Sequence, residues 1–185
     1  MLKRSLLSVT LAVAVGLASV IPSAAAEGSP AGMAPVRQPA ASNVNGITQA
    51  AVKAGVLSCT SRINQVTNFL TVNAQGIGAF LFLPPNDPDQ QLISVSLEIP
   101  SNDTSSAYAS ASFAPNQANG CAGMYETVVY WYQKCSEVAS KNFGALKKID
   151  AFSKNITVLD GGVSTKIFLM SAGTGCVSIK KEVIQ

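Results

Sequence analysis

Apolar residues recur every three or four positions between residues 47 and 72. Ile47, Ala51, Ala54 and Val56-Leu57 lead into Ile63, Val66, Phe69 and Leu70, the spacing that lines one face of a helix. Gly55 falls inside this stretch and splits it into two predicted helices. Ser58 is placed to cap the second, with Cys59 in its first turn.

Beyond Gly76 the pattern changes. Residues 76–83 are almost wholly apolar and end at Pro84-Pro85, which predicts a central strand buried on both faces. Residues 84–90 hold Pro, Asn and Asp and read as a loop. Residues 91–99 set Leu92, Val95, Leu97 and Ile99 against Ser94, Ser96 and Glu98, a strand with one buried and one wet face. Residues 107–114 form a third predicted strand, with Tyr108 and Phe113 among small residues. Residues 124–133 are rich in Tyr, Val, Thr and Trp, which favour strands. A short helix is expected over 136–148, with Val138, Ala139, Phe143 and Leu146 inward. A strand at 155–159 ends at Asp160-Gly161-Gly162. Residues 164–171 and 176–184 then make a hairpin across Ala172-Gly173-Thr174-Gly175. Sequential strands joined by short turns pair antiparallel. The expected fold is therefore α+β, a single antiparallel sheet of six to seven strands with two or three helices on one face.

The N-terminus reads differently from the rest. Met1-Leu2-Lys3-Arg4 is followed by an apolar run from Leu6 to Ile21, then Pro22 and Ser23-Ala24-Ala25-Ala26. A basic start, an apolar middle and an A-x-A end form the pattern of a cleavable secretory signal. Residues 1–26 are expected to be that signal, cut after Ala26, with Ala25 as the second choice. The apolar run of about 16 residues is short of the ~20 that a spanning helix needs. Residues 27–43, rich in Ala, Pro and Ser, are expected to be a flexible lead-in. A single globular domain should occupy 44–185. Loss of Lys3 and Arg4 from 13 basic residues leaves 11 against 10 acidic ones, a net of +1. That balance offers no electrostatic footprint for nucleic acid or an anionic membrane.

Cysteine usage adds a constraint. Cys59, Cys121, Cys135 and Cys176 are the four cysteines, and an even count in an exported chain predicts two disulfides. A strand between Cys121 and Cys135 would hold their Cα atoms far beyond the ~7 Å that a disulfide spans. Two pairings stay open: Cys59–Cys135 with Cys121–Cys176, or Cys59–Cys121 with Cys135–Cys176.

The chain has no histidine, which removes Ser-His-Asp, Cys-His and HExxH chemistry as usually built. No catalytic residue, metal site or cofactor is assigned. Ser178-Ile179-Lys180-Lys181 has S-x-x-K spacing, but that motif needs a helix and here falls in a predicted strand. Lys180 and Lys181 are read as caps on the solvent side of that strand. Asp87-Pro88-Asp89 reads as turn chemistry, Glu126 as solvated, and Glu137 as a first-turn helix residue favoured by the helix dipole. Asn102-Asp103-Thr104 and Asn155-Ile156-Thr157 match the N-glycosylation pattern. Alternation places Tyr130 and Tyr132 on one strand face and Trp131 on the other. These three are the candidate partner-binding residues, one side forming an aromatic platform for a protein, peptide or glycan.

The functional expectation is a small exported binding protein, periplasmic or secreted, in the manner of an inhibitor or immunity module. A histidine-free hydrolase would need converging carboxylates or a Ser/Lys pair. A structural envelope or appendage component would need an unpaired sheet edge that accepts a neighbour's strand.

Overall fold

The computed structural model describes residues 44–100, 106–149 and 155–184. The signal, the lead-in and the Asn102-Asp103-Thr104 site lie outside the described residues. Two helices open the domain, α1 (Gly46–Lys53) and α2 (Thr60–Leu70). Strands β1 (Gly78–Phe82), β2 (Ile93–Ile99), β3 (Ala107–Asn116) and β4 (Gly120–Trp131) follow. Helix α3 (Cys135–Asn142) precedes β5 (Lys147–Ile149), β6 (Ile156–Asp160), β7 (Thr165–Ala172) and β8 (Gly175–Ile184).

All eight strands join one antiparallel sheet in the order β1-β2-β3-β4-β8-β7-β6-β5. The α+β expectation holds, with one strand more than the six to seven foreseen. The extra strand is β5. The predicted helix 136–148 stops at Asn142, because its last residues leave the helix and pair Lys147 with Asp160 and Ile149 with Val158.

The helical boundary follows local chemistry. Asn45 caps α1 by accepting from the Thr48 amide at 2.9 Å. Gly55 takes φ +93°, a left-handed conformation that ends the first helix. Ser58, expected to cap α2, lies one residue too early, and Cys59 holds the N-cap position without a side-chain bond. The Asp89 carboxylate reaches back instead, accepting from the Leu57 and Ser58 amides at 2.6 Å each and from the Ser58 hydroxyl at 2.9 Å. Those amides, the larger contribution coming from Ser58, hold the Asp89 carboxyl below the ordinary aspartate range. The Asp87-Pro88-Asp89 turn thus ties its loop to the start of α2.

The disulfides are Cys59–Cys121 and Cys135–Cys176, the second of the two pairings left open. Each fastens a helix to the sheet, the first tying the start of α2 to β4 and the second tying α3 to β8. No cysteine is free. The core falls into two clusters. The larger packs Ile63, Val66 and Leu70 of α2 against Val95, Leu97, Ala111 and Phe113. The smaller packs Val138 of α3 against Leu159, Ile167, Leu169 and Cys176. Burial of each large aliphatic or aromatic side chain is worth roughly 1.5–3 kcal/mol.

One strand departs from expectation. Residues 76–83 were read as a central strand buried on both faces. The structure puts β1 at the sheet edge, where Phe80 is 72% and Phe82 55% exposed. A continuous apolar run does not reveal whether its neighbours lie on both sides, because pairing is decided by long-range contacts. Among the described residues, no helix is long and apolar enough to cross a membrane.

Candidate functional site

Strand register sorts every sheet residue onto one of two faces, since each pairing runs without a bulge. Val95, Ala111, Tyr125, Lys180, Ile167 and Leu159 fall on one face, and both core clusters are built there. All three helices pack on that face. The opposite face carries no helix among the described residues.

A sheet with one covered face should be polar on the other. Here the open face is only half polar. One row crosses all eight strands as Gly78, Glu98, Tyr108, Val128, Ile179, Phe168, Val158 and Ile149. The next holds Tyr130, Val177, Met170 and Ile156. Over β4, β8, β7 and β6 the positions on this face are therefore apolar in two consecutive rows, half-buried except for Val158, which is buried. The row on the other flank is polar. Lys181 pairs with Glu126 at 2.9 Å and Lys166 with Asp160 at 2.9 Å. Ser110 donates to Glu126 at 3.1 Å. Lys181, beside Glu126, holds that carboxyl below its ordinary value, and Lys166 does the same for Asp160. Glu126, read as a solvated residue, is thus paired and half-buried, because β4 places it directly opposite Lys181.

The candidate aromatic residues divide between the faces. Tyr130 lies on the open face and meets Tyr132 edge to face, with ring centroids 5.4 Å apart. Tyr132 is 67% exposed. The Tyr130 ring lies over Gly175, where a Cβ would strike the Tyr130 hydroxyl and the Trp131 carbonyl oxygen. Only glycine allows this approach. Trp131 points to the helix face, packs against the smaller core cluster, and donates from its indole N–H to the Ser178 hydroxyl at 2.7 Å. Its role is therefore in the core, and the open-face pair is Tyr130 with Tyr132.

The helix face has a second feature, missed in the sequence. Between the territory of α2 and that of α3, Tyr125, Lys180 and Glu182 form a half-buried cluster. Tyr125 donates to Glu182 at 2.7 Å, and Lys180 donates to the Tyr125 hydroxyl at 2.8 Å and pairs with Glu182 at 2.7 Å. The Lys180 ammonium also sits 5.3 Å from the Tyr125 ring centroid and 5.9 Å from that of Phe69, within cation–π range. A cleft of about 340 Å³ opens here, lined by Gln65, Val66, Phe69, Tyr125, Glu182 and Ile184.

Electrostatics decide what this cluster can do. Burial pushes the Tyr125 phenol above its ordinary value, against the pull of Lys180. Burial alone would lower Lys180, but its bonds to Glu182 and Tyr125 outweigh this and hold the ammonium above the usual lysine value. Lys180 holds Glu182 below the usual glutamate value. Both shifts favour the protonated forms at neutral pH, the neutral phenol and the charged ammonium. The cluster ties α2, β4 and β8 together. Lys180 was read as a solvent-side cap. In the structure alternation turns it inward, and Lys181 takes the outer position.

The other chemistry-bearing residues are dispersed. Ser178 and Lys181 face opposite sides of β8, and the Ser178 hydroxyl is buried against Trp131. Glu126 and Glu182 also occupy opposite faces. Glu137 pairs with Lys141 on α3, at 3.7 Å. Among the described residues no three His, Cys, Asp or Glu side chains gather closely enough to hold a metal ion. Comparison with protein families, characterised proteins and solved structures finds no match.

Proposed function

We propose that this chain is an exported binding protein whose open sheet face receives a protein, peptide or glycan partner. The observation that carries the proposal is the helix-free face with two apolar rows over β4, β8, β7 and β6. These rows are half-buried, with Val158 buried, and an apolar sheet face that no helix covers among the described residues fits an interaction site. Tyr130 and Tyr132 stand at its rim as rigid amphipathic contacts of the kind enriched in interfaces. The row of Glu126, Lys181, Lys166, Asp160 and Lys147 borders it with a net charge of only +1, which suits recognition by shape and apolar contact. A periplasmic or extracellular setting agrees with the signal pattern and with two disulfides. The bonding of Tyr125, Lys180 and Glu182 to one another, with the lysine held charged, favours binding over hydrolysis as the working reading.

The test is native mass spectrometry of the protein recovered from its exported fraction, followed by substitution of Ile179, at the centre of the face, with lysine. A stoichiometric partner on the native protein, lost in Ile179→Lys while both disulfides and the circular dichroism persist, supports the reading. A partner that is retained by Ile179→Lys overturns it, as does hydrolytic turnover by the purified protein.

A further inference from the structure

The two edges of the sheet are built differently. The β5 edge is three residues long and carries Lys147 and Lys148, both exposed. Short strands and lysines are how natural sheets keep an edge from pairing. The β1 edge has neither guard. Residues 78–82 are Gly, Ala, Phe, Leu and Phe, with no lysine, no proline and no bulge in the pairing with β2. Gly78, Ala79, Phe80 and Phe82 are exposed. No charged residue occurs between Arg62 and Asp87, so β1 itself brings no like charges together, and Glu98 of β2 lies against Gly78.

The residue order on β1 is also self-complementary. An antiparallel pairing of two copies about a two-fold axis at Phe80 sets Gly78 opposite Phe82 of the second copy, Ala79 opposite Leu81, and Phe80 opposite Phe80. Small faces large at each off-axis position, and the phenyl ring of Phe82 from the second copy meets Gly78 beside the Glu98 side chain. Cross-strand aromatic pairs add stabilisation of their own. The two-fold makes the contact isologous. Because the β5 edge is guarded, each copy has one such edge and assembly closes at two.

We infer that two copies of this chain associate through β1, antiparallel, joining their sheets edge to edge. The contact is modest. Five residues at ~3.3 Å span about 16 Å and supply about four to six main-chain hydrogen bonds. An edge contact of one short strand belongs with the small, weak interfaces, and dissociation in the micromolar range is expected. The inference uses the edge of the sheet and is independent of the face proposed for partner binding.

The test is sedimentation velocity of the exported protein from ~1 to ~200 µM, a span that brackets micromolar dissociation. A reversible monomer–dimer equilibrium is expected. Phe80→Lys, at a side chain already exposed, should weaken it at least tenfold by opposing two ammonium groups across the axis. An equimolar mixture of Phe80→Lys and Phe80→Glu should restore a dimer that neither forms alone, which a folding defect would not produce. Ile179→Lys should leave the dimer unchanged, so failure of the face and failure of the edge are told apart. A monomer throughout the range, a dimer indifferent to Phe80→Lys, a mixture that stays monomeric, or open-ended fibres would each overturn the inference.

Discussion

Removing the disulfides one at a time tests whether the core is two units or one. The Cys59–Cys121 bridge closes a separation of 62 residues and Cys135–Cys176 one of 41. The loops follow one another along the chain, so their entropic effects are independent. Chain entropy assigns each bridge about 4 kcal/mol, and the logarithmic dependence on loop length separates them by only ~0.4 kcal/mol. Any larger difference must come from packing. α2 keeps Ile63, Val66 and Leu70 buried when its bridge is cut. α3 has eight residues with Val138 alone fully buried, and a helix that short is marginal without tertiary support. Cys59→Ala/Cys121→Ala should therefore lower stability by about 2–4 kcal/mol in a single cooperative transition. Cys135→Ala/Cys176→Ala should release α3 first. The chain has one tryptophan, and Trp131 packs in the α3 cluster. Its fluorescence reports that cluster, whereas far-ultraviolet circular dichroism reports the whole sheet. In urea the fluorescence transition of the second variant should precede the dichroism transition. Coincident transitions in both variants, with equal losses of stability, would show that the two clusters unfold as one body and refute the argument.

Two further perturbations follow from buried polar groups. Ser178→Ala leaves the Trp131 indole N–H without its acceptor, at a cost of about 1–2 kcal/mol, and should shift the Trp131 emission; equilibrium denaturation with fluorescence detection measures both. With no histidine in the chain, stability should be nearly flat from about pH 5 to pH 9. Glu182 and Glu126 have folded values below their unfolded ones. Their contribution is present above pH ~4.3 and is lost as pH falls through the folded values. Lys180 and Tyr125 have folded values above their unfolded ones. Their contribution is full below pH ~10 and is lost as pH rises through the folded values. Thermal melts across this range check the shape, and a maximum confined to one side of neutrality would contradict it.

Much of this architecture was legible in the residues themselves. Helical spacing from Ile47 to Leu70, the break at Gly55, and period-two alternation in β2 are short-range signals that survive into the fold. Elimination on strand length reduced the disulfides to two pairings, and the observed bridges are one of them. The assignment of Trp131 to the face opposite Tyr130 also followed from alternation alone. What alternation withheld was which of those faces the helices cover.

That choice belongs to tertiary structure. β1 reads as a buried central strand because its residues are apolar, yet its position at the edge depends on what lies beside it, and no residue of β1 encodes that. β5 was absorbed into a helix because three residues carry too little pattern to compete with an adjoining helical run. Lys180 looked solvent-bound until its partners, 55 residues away at Tyr125 and next but one at Glu182, were brought to the same side of the sheet. The open face was invisible for the same reason: its rows are assembled from strands that meet only in the fold. Local chemistry determined the elements and their faces. Long-range pairing, through which a residue's surroundings are drawn from distant parts of the chain, determined which face the helices cover.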